Sequence, residues 1–545
     1  MSLALSLVRK QDSGSEVHHA KTIGHHVSPR NGSRLVGADK PMIVGSPVQV
    51  RTQLRIVDVV CRVLALSALV GILFVIGCTG DGTKSSTVTY TVGGTVSGLA
   101  GSGLVLQDNG GNNLAVSANG SFTFTAALAS GTTYGVTVLS QPTNPSQTCS
   151  VTGGSGTVTN ATINTVAVKC LTTTNSLIVP DFSNNRVLIY DAPFSTGQSA
   201  NVVLGQANLT TATAGTTAST MNAPAAIAMD SAGNLYVAEN GNCRVTQFAP
   251  PFSNGMSASV VFGQPNLSTG NCAASISAGS LGGAGIGDEV FGVILDSSGD
   301  LWVADSGSNR VLEYKPPLSN GMAATLAIGQ ANLTSGSANQ GGAAPTNATL
   351  NDPGYPVFDS SGNLWIADFF NNRMLEFKPP FATGMAASVV LGQADFTSGS
   401  PNQGGAVGAN TLGGADGAAF DSSGNLWMAD PNNNRVLEFK PPFTTNMTAS
   451  LVLGQVNLTS GNPNQGGAGP TSATLNFPQQ VSFDSSGRLF VNDSGNSRTL
   501  VFAPPFSNGM NASLVIGQAD FTSATPATTA AGQNSPTGVI TAPPL

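Results

Sequence analysis

The sequence predicts an all-β protein in which a six-bladed β-propeller follows a small β-sandwich. Composition is the first indication, because 9% of the 545 residues are charged and 40% are hydrophobic, which suits many short strands joined by polar turns. The second is the turn Asp-Ser-x-Gly, which recurs from Asp230 to Asp484 at intervals of 62 to 66 residues. The third is an acidic residue followed five positions later by arginine. Such repeats indicate sheets arranged as blades around an axis. The six acid–arginine pairs are Asp181/Arg186, Glu239/Arg244, Asp305/Arg310, Asp368/Arg373, Asp430/Arg435 and Asp493/Arg498.

One repeat unit is predicted to form four strands, named a to d. Strand a is an apolar run such as residues 478–483, and the Asp-Ser-x-Gly turn leads to strand b, such as residues 364–367. The loop with the acid–arginine pair leads to strand c at 373–377, and a Pro-Pro turn leads to strand d at 387–391. Proline cannot donate to a sheet ladder, so the Pro-Pro turn must lie outside the strands. In a propeller the b–c loops and the long d–a loops share one face, which we call the long-loop face.

The string P-x-x-[VIA]-x-x-D-x-x-G-N-L-[YW]-[VI]-A-[DE]-x-x-x-N-R-[VM]-L-x-F resembles the NHL repeat over roughly two thirds of the chain. This resemblance implies a six-bladed β-propeller over residues 176–541. The first unit begins at Ser176, already in strand b, and residues 535–540 resemble a lone strand a. The C-terminal strand is therefore predicted to complete blade one and remove an exposed sheet edge.

Residues 91–172 alternate with period two and are predicted to form a β-sandwich of six or seven strands. Their pattern is similar to the immunoglobulin-like or carboxypeptidase-regulatory-like modules of bacterial surface proteins. Residues 79–90 form a short tether rich in glycine, serine and threonine.

Residues 1–78 are predicted to be an N-terminal extension and a signal peptide. Arg51, Arg55 and Arg62 precede an apolar run, residues 63–77, that is short for a membrane span and suits a signal sequence. The run ends at Cys78 in Val-Ile-Gly-Cys, which resembles the bacterial lipobox, and this resemblance implies a lipidated Cys78 in the cell envelope. Thr79 favours the outer membrane or cell surface, and a plain transmembrane anchor is the alternative. Initiation at Met42 rather than Met1 is a further hypothesis.

Four cysteines remain after Cys61 and Cys78 are set aside. An even number in an exported protein predicts disulfides, and Cys149–Cys170 with Cys243–Cys272 is the economical pairing. Metal binding through these cysteines is not expected, because the chain has no Cys-x-x-Cys and no nearby histidine.

The acid–arginine pairs have two interpretations. They could hold the b–c turn in every blade, with exposed pairs contributing about 0–1 kcal/mol each and partly buried ones fixing register, or the six arginines could surround an anion. Their presence in every blade favours the structural role. Trp302, Trp365 and Trp427 share one repeat position on strand b. This recurrence also favours a structural role, and we expect the three indoles to pack between blades.

Departures from the repeat are the better candidates for function. Asp288, Glu289, Asp352 and Asp416 precede strand a in three blades and could bind Ca²⁺ or another cation on the long-loop face. Propeller enzymes similar to this repeat, the amidating lyases and the virginiamycin B lyases, depend on histidine. All four histidines here lie before residue 27, so neither mechanism carries over, and no Ser-His-Asp set is possible in the propeller.

The predicted function is a monomeric, envelope-anchored binding module that takes a protein, peptide or glycan on its long-loop face, without a cofactor. The alternative is a hydrolase or lyase with carboxylate-bound Ca²⁺ in the central channel. After Cys78 the chain has 12 basic and 24 acidic residues, and such an acidic surface repels nucleic acid.

Overall fold

The computed structural model describes residues 87–99, 101–143, 147–172, 176–272, 275–283 and 290–542. The predicted signal segment with Cys78 and the first part of the tether lie outside the described residues, as do Asp288 and Glu289. In the described part of the chain, no helix is long and apolar enough to cross a membrane.

The N-terminal β-sandwich packs two four-stranded sheets around one apolar core, with sheet orders β5-β2-β10-β8 and β4-β3-β7-β9. It has ten strands rather than the six or seven predicted, because β1, β6 and β9 are too short for alternation to reveal. Cys149 in β8 lies opposite Cys170 in β10 and is bonded to it, as predicted. The strands are β1 Thr89–Tyr90, β2 Val92–Ser97, β3 Leu104–Asp108, β4 Asn112–Val116, β5 Gly120–Thr123, β6 Leu128–Ala129, β7 Thr133–Ser140, β8 Gln147–Thr152, β9 Ser155–Thr157 and β10 Ile163–Thr172.

Six four-stranded antiparallel sheets form the blades, and each runs from strand a to strand d. Blade one takes its strand a from the C-terminus. In chain order the strands are β11 Ser176–Asp181, β12 Arg186–Asp191 and β13 Val202–Leu204 of blade one; β14 Pro224–Met229, β15 Leu235–Glu239, β16 Arg244–Phe248 and β17 Val260–Phe262 of blade two; β18 Gly292–Leu295, β19 Leu301–Asp305, β20 Arg310–Tyr314 and β21 Leu326–Ile328 of blade three; β22 Pro353–Phe358, β23 Leu364–Asp368, β24 Arg373–Phe377 and β25 Val389–Leu391 of blade four; β26 Ala418–Phe420, β27 Leu426–Asp430, β28 Arg435–Phe439 and β29 Leu451–Leu453 of blade five; β30 Pro478–Phe483, β31 Leu489–Asp493, β32 Arg498–Phe502 and β33 Leu514–Ile516 of blade six; and β34 Ile540–Ala542 of blade one.

The blades close into a ring, which confirms the predicted fold class. Strand a of each blade contacts strand a of the next, including β34 against both β30 and β14. Strand β34 pairs with β11, and a separate bridge joins Pro536 to Asp181. The closing strand therefore lies later than the predicted residues 535–540, whose first part forms only this single bridge. Strand d is also shorter than predicted, since β25 begins at Val389.

Short 3-10 turns connect strands on the long-loop face. Six of them form the b–c connections, and each is followed by a residue with left-handed backbone conformation. Three more lie in d–a loops. The b–c turns are Phe182–Asn184, Asn240–Asn242, Ser306–Ser308, Phe369–Asn371, Pro431–Asn433 and Ser494–Asn496, and the d–a turns are Ala338–Gly341, Pro401–Gly404 and Pro463–Gly466.

Each junction between neighbouring blades has its own apolar core. Trp302 of blade three is fully buried and packs against Phe381 of blade four, with ring centroids 5.0 Å apart. Its indole Nε1 donates to Asp296 Oδ2 at 3.3 Å, so one side chain joins the a–b turn to the next blade. Trp365 and Trp427 repeat this arrangement. The tryptophans therefore pack between blades.

Candidate functional site

The acid–arginine pairs lie on the long-loop side, within blades, and both side chains of every pair are fully buried. In blade four, Arg373 Nε donates to Asp368 Oδ2 at 2.7 Å. Its Nη1 donates to the Phe396 carbonyl of the following d–a loop, and its Nη2 donates to the carbonyls of Thr346 and Thr349 in the preceding one. One guanidinium thus holds a b–c turn and two long loops together. The six pairs, at 2.7 to 3.0 Å, are Asp181–Arg186, Glu239–Arg244, Asp305–Arg310, Asp368–Arg373, Asp430–Arg435 and Asp493–Arg498.

The carboxylates of the pairs also accept structural hydrogen bonds from neighbouring backbone and side-chain groups. Asp368 Oδ1 accepts the backbone N–H of Asn351, and Oδ2 accepts the Asn371 amide as well as Arg373. Burial raises the pKa of the Asp368 carboxyl above its ordinary value, while the Arg373 guanidinium and the hydrogen bonds oppose that rise. Burial raises the pKa of the other five acids in the same way. With no exposed surface, these carboxylates cannot touch a substrate.

A glutamine at the end of strand d also supports each long loop. Gln393 Nε2 donates to the Asn372 carbonyl in the b–c turn at 3.0 Å and to the Ser400 carbonyl in the d–a loop at 2.9 Å. The repeated Gly-Gln pair is visible in the sequence, but the partners of its amide are carbonyls that no pattern marks. The equivalent glutamines are Gln206, Gln264, Gln330, Gln455 and Gln518.

The disulfide between Cys243 and Cys272 joins the b–c turn of blade two to its d–a loop, as predicted. In blades one, three, four and five, asparagine occupies the position of Cys243 and donates its amide to a d–a carbonyl 27 residues later, such as Asn309 to Gly336 at 2.9 Å. The equivalent residue in blade two is Gly270. The covalent bond therefore replaces a hydrogen bond that the repeat uses elsewhere.

Replacing this disulfide should show how much of its stabilisation a hydrogen bond from an asparagine at position 243 can supply. We expect C243A/C272A to lower the free energy of unfolding by about 3 kcal/mol, because the cross-link constrains the unfolded chain. C243N/C272A should recover about 1 kcal/mol of that loss through a hydrogen bond to the Gly270 carbonyl. Urea denaturation of both variants measures the difference, and equal stability of the two would contradict it.

The Tyr355 side chain crosses the axis of the propeller at the level of the strands a. The Tyr355 hydroxyl of blade four donates to the Thr537 carbonyl of blade one at 2.7 Å and lies 2.9 Å from the Ala225 carbonyl of blade two. Tyr355 is 3% exposed, and burial raises the pKa of its hydroxyl well above its ordinary value. A Cβ on Gly292 would lie 2.8 Å from the Gly354 carbonyl oxygen, so the blades approach closely here. Tyr355 therefore joins blade four to blades one and two across the axis at this level.

The candidate cation ligands are placed only in part. Asp416 is buried, and its Oδ1 lies 2.9 Å from where a Cβ on Gly354 would be. Asp352 is half-buried before strand β22, and its backbone N–H donates to Asn309 Oδ1. Asp288 and Glu289 lie outside the described residues. Among the residues that are described, no group of three or more His, Cys, Asp or Glu side chains is close enough to hold a metal ion.

Two adjacent aromatic residues distinguish blade four on the long-loop face. Phe369 is 6% exposed and Phe370 is 39% exposed, and their rings pack edge to face with centroids 5.6 Å apart. The Phe369 ring borders Gly414 in the next d–a loop. Sequence reasoning missed this pair, although an alignment of the six units would show it, because the residues equivalent to Phe370 are small or polar. They are Ser183, Gly241, Gly307, Asn432 and Gly495.

Comparisons with known proteins identify the repeat. The NHL repeat matches residues 221–248. Solved structures similar to this chain include virginiamycin B lyase from Staphylococcus aureus, with 12% identity, TM-score 0.31, and coverage of 59% of this chain and 75% of that chain. They include the periplasmic gluconolactonase of Pseudomonas aeruginosa, with 12% identity, TM-score 0.37, and coverage of 68% and 99%. A search among curated proteins found no match. The chain carries the NHL repeat. The order of the strands in its own sheets shows that it is a β-propeller.

Proposed function

We propose that the propeller is a binding module that takes a protein, peptide or glycan on its long-loop face, and that lipid at Cys78 anchors it to a bacterial cell envelope. The observation that carries this proposal is the exposed ring of Phe370. Aromatic side chains anchor ligands because they bury a large apolar area with few rotatable bonds. Phe370 stands on a turn that is fixed by the buried Asp368–Arg373 pair.

The loops around Phe370 are held in place before any ligand arrives. Asn371 and Asn339 exchange hydrogen bonds between the b–c turn and the preceding d–a loop, at 2.8 and 3.2 Å. A preorganised surface binds with a smaller entropy loss than a flexible one. This favours recognition. The Tyr355 side chain, which crosses the axis, argues against the channel-centred hydrolase or lyase as the function of this propeller.

The substitution F370N tests the proposal, because asparagine occupies the equivalent position in blade five and the turn should fold unchanged. The full chain and the variant are screened side by side on a glycan array and a displayed peptide library. We expect ligands that bind the native chain to lose at least about tenfold in affinity for F370N, a typical effect of removing an aromatic anchor. Equal binding by both proteins would contradict a role for this surface.

A further inference from the structure

A second candidate site lies on the opposite face, at the junction of blades three and four. It is a cleft of about 810 Å³, a size that suits a small ligand or a side chain with its neighbours. The a–b turns of both blades, strand c of blade three and the Pro-Pro turn of blade four surround it. Its lining includes Asp296, Asp300, Glu313, Lys315, Phe358 and Phe381.

A local departure from the repeat makes this cleft acidic. In blade four the Asn363 amide donates to Oδ2 of the turn residue Asp359 at 2.8 Å, and blades two and five repeat this bond. In blade six Arg488 Nε donates to Asp484 instead. Blade three has Asp300 at this position, so it adds a second carboxylate where blades two, four, five and six add a donor.

The single lysine in the cleft does not balance these charges. Lys315 Nζ lies 2.9 Å from Asp300 Oδ2 and 3.1 Å from Glu313 Oε1. Hydrogen bonds to Asp300 and Glu313 raise the pKa of the lysine, which remains 54% exposed. With Asp296 and Asp359 included, four carboxylates face one ammonium group, a net charge of −3. At the junction of blades four and five, Asn363 replaces the extra acid.

The other wall of the cleft is apolar. Phe358 and Phe381 pack edge to face on the buried indole of Trp302, at centroid distances of 5.8 and 5.0 Å, and Pro379 and Pro380 continue this wall. An occupant that satisfies both walls has a cationic head and an apolar stem. A guanidinium group meets these needs best, because it binds carboxylates through two hydrogen bonds and stacks on aromatic rings.

We propose that this cleft binds an arginine side chain of an extended basic peptide segment. The site is independent of the long-loop face and stands on different residues. A divalent cation is a poorer occupant, since the acids among the described residues form no group of three or more that could hold a metal ion.

The D300N substitution tests the proposal, because it places at this position the asparagine of blades two, four and five and removes the extra negative charge. Fluorescence anisotropy of a dye-labelled, arginine-containing peptide is measured with the full chain and with D300N. The same peptide with citrulline in place of arginine supplies the neutral control. We expect D300N to bind the arginine peptide at least about fivefold more weakly than the native chain does, and added salt to weaken the native complex. The citrulline peptide should bind the native chain no better than it binds D300N.

The reciprocal substitution N363D supplies a gain-of-function control at the next junction. It should add a second binding site, so that two peptides bind per chain rather than one. Equal affinity of D300N and the native chain, equal binding of the citrulline peptide, or no saturable binding would overturn the proposal. Calcium alone that displaces the peptide from the native chain but not from D300N would overturn it in favour of a divalent-cation site.

Discussion

Replacing Asp368 with alanine should lower the free energy of unfolding by about 3–5 kcal/mol, because it leaves the Arg373 guanidinium buried without its counter-charge. Asp368 also accepts the Asn351 N–H and the Asn371 amide, so the same change removes partners from two further donors. Urea denaturation followed by circular dichroism measures the loss as a shift in the midpoint. A cost below about 1 kcal/mol would show that the pair does not support the turn.

Two further variants test whether the cost of D368A comes from leaving a buried charge without its partner. K378A removes an exposed pair in the same blade, where Lys378 Nζ lies 3.5 Å from Glu376 Oε2 and the lysine is 58% exposed. We expect K378A to cost less than about 1 kcal/mol. The double variant D368A/R373M removes both buried charges, and it should be more stable than D368A alone, since no unpaired ion remains.

Much of the fold could be predicted because its repeats are local in sequence. The Asp-Ser-x-Gly turn, the Pro-Pro turn and the mostly apolar strand b each occupy fewer than ten residues, and the missing strand a before Ser176 indicates closure by the C-terminal strand. The Cys243–Cys272 pairing was predicted as the economical pairing of the four remaining cysteines, and the two loops that carry these cysteines share a face. The predicted number of sandwich strands is too low because β1 and β6 have two residues each and β9 has three.

The candidate sites were harder to predict, because their properties depend on contacts between distant segments. No pattern shows that Arg373 reaches carbonyls of two different loops, so complete burial of the pairs went unseen. Phe370 and Asp300 look ordinary alone, and each stands out only against the residues of the other blades. The contact across the axis depends on Tyr355 reaching Thr537, which is 182 residues away in the chain.

Deleting residues 534–545 should lower the melting temperature by about 10 °C or more, because it opens the ring at blade one. The deletion exposes the edge of β11, which pairs with β34 through Ser176, Leu177 and Ile178. It removes the Asn534 N–H that donates to Asp181 Oδ1. It also removes the Thr537 carbonyl that accepts the Tyr355 hydroxyl across the axis.

A synthetic peptide of residues 534–545, added in trans, distinguishes the loss of ring closure from a nonspecific effect of shortening the chain. An open blade presents unpaired backbone groups that an extended peptide can join as a new strand. Val539 is fully buried in the junction of blades six and one, so the peptide must also fill an apolar gap. We therefore expect it to restore much of the lost melting temperature in the deletion variant, whereas the variant peptide V539D should not. Restoration by both peptides, or by neither, would mean that β34 does not close the ring through these contacts.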